Sequence, residues 1–234
     1  VVTSFVCEAM LHAYRITKKD RYLDQVNQSI VFFTQHLQHL KESDDELCLS
    51  YMPVEMSMRV MDVSILIAAV MAQYCQLAAD NTHMEKAHRL ATYVARQQTD
   101  YGAWYYTDPK EDSLITHDNY HTGFILDAFD RYRNACAKNN LADCSHVNYD
   151  LGLKYYADNL FNNDGTPRWM HDQDYPHDIH GAAQGIITFS RHLQDHQSLV
   201  TKILEWSIGT MWNQQGRFYY QQTPVYRKRF TLLR

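Results

Sequence analysis

The chain has 234 residues, a formal net charge of −5 at pH 7 and 45% hydrophobic residues, with only 8 Gly and 5 Pro. It is apolar and long enough to bury a substantial core, which excludes a disordered segment, and too poor in turn-forming residues for a many-stranded sandwich. The negative balance excludes general binding to nucleic-acid phosphates, which requires a basic surface. An all-α protein with no nucleic-acid partner is expected.

In chain order, "VTSFVCEAMLHAYRITKKD" opens on helical sequence without a lead-in and reads as the remainder of an inner helix. It is followed by "RYLDQVNQSIVFFTQHL", where Leu23, Val26, Ile30, Phe33 and Leu37 form one apolar stripe at helical spacing. "LSYMP", with Tyr51, marks a turn, after which "RVMDVSILIAAVMAQYCQLA" predicts a helix that is apolar over most of its circumference. Its longest apolar run, Val63 to Ala72, is about half of the ~20 residues that a bilayer crossing needs, so no transmembrane segment is expected. Met84, Ala87, Leu90, Ala91 and Val94 give the next one-striped helix, and "YGAWYYTDP" the next aromatic turn. The order then repeats, with "THDNYHTGFILDAFDRYRNA", the turn "DGTPRWM" and "PHDIHGAAQGIITFSRHLQD". A stripe of Leu199, Ile203 and Trp206 and the turn "QGRFYY" follow, and the basic tail "YRKRF" reads as a solvated end.

Asp62, Asp118 and Asp178 each precede an apolar helix, at spacings of 56 and 60 residues. An all-round apolar helix followed by a one-striped helix, repeated at this period, predicts α-hairpins arranged around an axis: an (α/α) toroid or barrel with about four hairpins visible. Residues 1–234 are expected to form one such domain of a longer protein, lacking its N-terminal hairpins. The five cysteines are odd in number and lack CxxC spacing. That predicts reduced thiols in a cytoplasmic protein, with a mature periplasmic chain as the alternative.

The pattern resembles the six-hairpin toroid superfamily, whose members include glycoside hydrolases, polysaccharide lyases, sugar epimerases, terpene cyclases and prenyltransferases. It is most similar to bacterial polysaccharide-biosynthesis proteins with a D-x-Y-H-x-G-F segment, here Asp118, Tyr120, His121, Gly123 and Phe124, and a later D-I-H-x-x-x-Q segment, here Asp178, Ile179, His180 and Gln184. "DNYHTGFILDAF" also resembles a helix start in the α-helical domain of D-glucuronyl C5-epimerases. The resemblance implies action on a polysaccharide or oligosaccharide, without a cofactor, alongside polysaccharide-assembly proteins. The chain lacks the DxDD and DDxxD clusters of terpene cyclases.

Helix capping alone explains the three aspartates, and it is the preferred reading of Asp62. It does not explain why five of the 13 histidines, His117, His121, His171, His177 and His180, fall around Asp118 and Asp178. Removal of a proton α to a uronate carboxyl needs a base and a group to hold the carboxylate. His121, Tyr120 and His180, with Asp118 and Asp178, are the candidate catalytic residues. Arg168, Gln184, His117, Trp104, Tyr105 and Trp169 are the candidate substrate-binding residues, the aromatic rings offering flat faces to sugars. A glycosidase would instead use two carboxylates, Asp118 with Asp178 or with Asp174. "HDQDYPHDIH" holds enough His and Asp to consider a metal, but its spacing matches no standard zinc signature, and no metal is expected. The alternative to an enzyme is a toroid that binds glycan or a partner without turnover.

Overall fold

The computed structural model describes residues 1–143 and 145–228; Cys144 and, from the basic tail, Arg229 and Phe230 lie outside the described residues. The fold is all-α, with eight α-helices among the described residues joined by two- to four-residue strands. The chain divides into two compact units, residues 1–98, 105–113 and 128–148 in the first, and 99–104, 114–127 and 149 onward in the second.

The first unit holds α1 (Val2–Thr17), α2 (Arg21–His36), β1 (His39–Glu42), β2 (Leu47–Leu49), β3 (Arg59–Val60), α3 (Met61–Ala78), α4 (Met84–Arg96) and β4 (Thr107–Asp108). α3 is its core: Met61 to Gln73 and Cys75 are all buried, because α1, α2, α4 and β2 pack around it. Its 18 residues are long and apolar enough for a membrane crossing by composition, longer than the run read from sequence, but 78% of them are buried inside the protein. α4 buries the expected stripe of Met84, Ala87, Leu90, Ala91 and Val94, and α2 buries Val26, Ile30 and Phe33. The expectation that every first helix is buried all round fails for α1, which buries Ser4, Cys7 and Leu11 and leaves Val2, Val6 and Ile16 exposed. Cys7, Cys48, Cys75 and Cys136 are buried, the first three as free thiols.

α5 (Asn119–Lys138) contributes its first nine residues to the second unit and the remainder to the first. The second unit continues with α6 (Tyr149–Asn159), β5 (His177–Asp178), α7 (Ile179–Ser190), α8 (Leu193–Trp206) and a π-helical turn (Ser207–Met211). It ends in β6 (Gln221–Gln222) and β7 (Arg227–Lys228). α7 packs on α8 and the π-helical turn and leaves Ile187 about half exposed, so it too is buried on one side only. Gly123 of α5 meets side chains of two other helices, Gln184 of α7 and Tyr156 of α6. A Cβ there would lie 2.4 Å from Gln184 Cγ and 2.6 Å from the Tyr156 hydroxyl, so only Gly fits.

Strand pairing fixes the register of the repeat. Val60 pairs with Thr107, Asp118 with Met170, and Asp178 with Gln221. In each case the next residue donates its backbone N–H to an aromatic residue's carbonyl: Met61 to Tyr106 at 2.9 Å, Asn119 to Trp169 at 3.2 Å, Ile179 to Tyr220 at 3.1 Å. The equivalents of Asp118 and Asp178 are therefore Val60, not Asp62, and the helix starts are 58 and 60 residues apart. Asp62 takes the register place of Tyr120 and His180. This corrects its reading as a cap: Val60 is the N-cap of α3, in extended conformation, and Asp62 lies inside the first turn.

Candidate functional site

The second unit brings the starts of α5 and α7 together around one tyrosine. Asp118 is 2% exposed. Its Oδ2 accepts from His121 Nδ1 at 2.7 Å and faces the His121 backbone N–H at 3.4 Å. A carboxylate only accepts, so Nδ1 carries the hydrogen and the neutral ring has an unprotonated Nε2. The same Oδ2 thus caps a helix and fixes a tautomer. One repeat later, Asp178 is the N-cap of α7, accepting from the His180 backbone N–H at 2.8 Å, with His180 Nδ1 3.1 Å from the same oxygen. Asp178 is 4% exposed, whereas the His180 side chain is 64% exposed.

Tyr120 connects the two pairs. Its ring centroid lies 4.2 Å from that of His121, 6.5 Å from that of His180 and 6.3 Å from that of Trp169. His121, Tyr120, Asp118, His180, Asp178 and Trp169 are therefore one cluster, with two carboxylate-backed imidazoles and a partly exposed indole. Arg168, next to Trp169, has a buried Nε without a hydrogen-bond partner among the described residues.

Other candidates stand apart from this cluster's chemistry. His117 is 2% exposed, with Nδ1 2.8 Å from the Trp104 carbonyl and Nε2 3.0 Å from the Tyr101 hydroxyl. Because a carbonyl only accepts, Nδ1 donates to Trp104 and Nε2 accepts from Tyr101. Burial lowers the His117 pKa, with the Trp104 bond opposing it, so the ring is held neutral. His177 repeats the device, with Nδ1 2.8 Å from the Pro167 carbonyl. Both histidines precede the capping aspartate and hold the incoming strand to the previous turn; His117 is thus a strut and not a substrate contact. Trp104, 1% exposed, packs over Gly152 and is a core residue. Gln184, 6% exposed, donates from Nε2 to the Gly123 carbonyl and to Thr188 Oγ1, both at 3.1 Å, and so ties α7 to α5. Both side chains are buried, where the substrate-binding reading of Trp104 and Gln184 expects them open to a sugar. Tyr105 belongs to the first unit, where Lys110 Nζ lies 5.3 Å above its ring.

In the His- and Asp-rich segment, His171 Nδ1 lies 3.7 Å from Asp172 and His177 Nε2 lies 3.8 Å from Asp174, which also accepts from Asn162 at 2.7 Å. Among the described residues, no three His, Cys, Asp or Glu side chains are placed to hold a metal ion.

Sequence reasoning passed over Asn119. It is 2% exposed, donates to the Leu160 carbonyl and accepts from Tyr156 at 3.3 Å, which pins the start of α5. It also passed over Gln221, which donates from Nε2 to Asp178 Oδ2 at 2.9 Å. The one signal pointing to Gln221 is its place after the aromatic Tyr220, as Met170 follows Trp169.

No family model and no curated protein matches the sequence. Solved structures do. A cellobiose 2-epimerase from Bacillus thermoamylovorans superposes with a TM-score of 0.74 at 12% identity, over 95% of this chain and 63% of that one. A sugar epimerase from a ruminal bacterium gives 0.72 at 11% identity, over 97% and 64%. A GH76 α-mannanase from Bacteroides thetaiotaomicron gives 0.65 at 13% identity, over 97% and 64%. This chain has the (α/α) toroid fold. It spans slightly under two thirds of the length of these toroid structures.

Proposed function

We propose that this toroid chain modifies a carbohydrate by proton transfer, with His121 and His180 as the acid/base pair and Tyr120 beside both. One observation carries this reading: two imidazoles, each backed by a buried carboxylate, neighbour the same tyrosine ring. A carboxylate partner fixes the tautomer and stabilises the imidazolium, which suits an imidazole to accept and return protons near neutral pH. Removing a proton beside a carbonyl or carboxyl and returning one to the opposite face inverts that carbon. Removing it with loss of a β-substituent cleaves the chain.

Hydrolysis has less support. Asp118 and Asp178 are nearly inaccessible and committed to helix caps and imidazoles, so neither stands ready as nucleophile or acid. The names of the similar structures fit the proposal, since two are sugar epimerases. A uronate in a bacterial polysaccharide is the substrate class we favour, because the half-buried Arg168, next to Trp169, is a cation to pair with its carboxylate. A cytoplasmic setting suits the buried free thiols of Cys7, Cys48 and Cys75.

Incubation with neutral and uronate-containing oligosaccharides in deuterium oxide tests the reading. Deuterium at carbon without cleavage marks an epimerase, and unsaturated ends mark a lyase. New reducing ends without carbon-bound deuterium would overturn proton transfer in favour of hydrolysis. Saturable binding with no conversion would point to a glycan-binding toroid.

A further inference from the structure

Asp118 and Asp178 hold the same register place but are held differently. The two bonds to the Asp118 carboxylate both come from His121. Asp178 divides its carboxylate: Oδ1 faces His180, while Oδ2 accepts from Gln221 Nε2 at 2.9 Å. Gln221 is 4% exposed on β6, and its Oε1 accepts from Lys228 Nζ at 3.2 Å across the β6–β7 pair. Tyr220 adds two constraints, its carbonyl taking the Ile179 N–H at 3.1 Å and its ring lying 5.6 Å from His180. An ordered chain, Lys228 to Gln221 to Asp178 to His180, thus runs from the last strand pair into the cluster.

We propose that Gln221 and Lys228 are positioning residues that hold Asp178 and draw on its negative charge, making His180 the weaker base of the two imidazoles. An amide donor spreads a carboxylate's charge, and an ammonium on the amide oxygen strengthens that donor. A carboxylate so engaged stabilises a neighbouring imidazolium less than one engaged by its histidine alone. Resting on the proton-transfer reading above, this gives the pair a direction: a single proton shared by the two rests on His121, which delivers it, and His180 starts as the free base that removes one. The groups facing His180 include Asp178 on its own helix start, Tyr120 from α5 and Tyr220 before β6, with Lys228 acting through Gln221.

The test is an NMR titration of the two imidazoles in the wild-type chain, Gln221→Leu and Lys228→Met. In the wild type, His180 should titrate below His121. In Gln221→Leu its midpoint should rise by about 0.5 pH unit or more, with a smaller rise in Lys228→Met and an unmoved His121 in both. A His180 midpoint unchanged in both folded variants, or above that of His121 in the wild type, overturns the proposal. If Gln221→Leu fails to fold, Lys228→Met decides alone, since Lys228 is only partly buried. The expected shifts in a protein that moves no proton on any sugar would support the positioning chain while removing the proton-transfer function.

Discussion

His121 Nδ1 lies 2.7 Å from Asp118 Oδ2, three residues earlier, so one contact joins a helix cap to an imidazole. The two roles separate by substitution. Asn caps helices about as well as Asp, so Asp118→Asn should change folding stability by no more than about 0.5 kcal/mol. It removes the charge that fixes the His121 tautomer, and sugar proton exchange should fall by about 10²- to 10⁴-fold. Urea unfolding and deuterium incorporation, measured side by side, check this. Unchanged exchange would leave Asp118 as a cap and nothing more.

The two tryptophans should part company. Trp104 is 1% exposed, and its truncation to Ala should cost about 3–5 kcal/mol of stability through the cavity left behind. Trp169, partly exposed 6.3 Å from Tyr120, should cost about 1 kcal/mol or less on truncation, while oligosaccharide affinity falls several-fold. Denaturant midpoints and calorimetric titration with oligosaccharides distinguish them; equal loss of affinity in both folded variants would contradict the assignment of Trp104 to the core.

Gly123→Ala should destabilise by about 1–3 kcal/mol, since its Cβ would fall 2.4 Å from Gln184 Cγ. Pairing it with Gln184→Ala relieves that clash, so the double variant should lose less than the sum of the two single changes. Strict additivity in urea melts would show that the two helices do not meet as described.

Acidification should weaken the fold through His117. Burial depresses its pKa below the ordinary 6.5, so the unfolded chain binds a proton first as pH falls. The neutral ring's full contribution is present above about pH 6.5 and is lost as pH drops from there towards the depressed folded value. His83, His88 and His196, also depressed by burial, act in the same direction. Unfolding free energy should therefore fall between pH 7.5 and 5.5, and His117→Gln, which does not titrate, should flatten that slope. A parallel slope in the variant would remove His117 from the effect.

The helical hairpins were legible because a buried stripe imposes its spacing on the residues: Met84, Ala87, Leu90, Ala91 and Val94 face the core as their periodicity requires. So were Asp118 and Asp178 as helix starts, because capping is local chemistry. The register of the repeat was not legible, since Asp62 looks like them in sequence. Only the pairing of Val60 with Thr107 shows that it sits two residues further on.

The sequence by itself determined the fold class, the hairpin count and the His, Tyr and Asp types at the two helix starts, because periodicity and capping act within a few residues. Tertiary structure decided which of those side chains meet. It placed Tyr120 beside both His121 and His180, buried Trp104, His117 and Gln184 as packing and bracing groups, and brought Gln221, 43 residues along the chain, onto Asp178. Exposure and long-range pairing depend on how neighbouring hairpins pack, and no local pattern of residues encodes that packing.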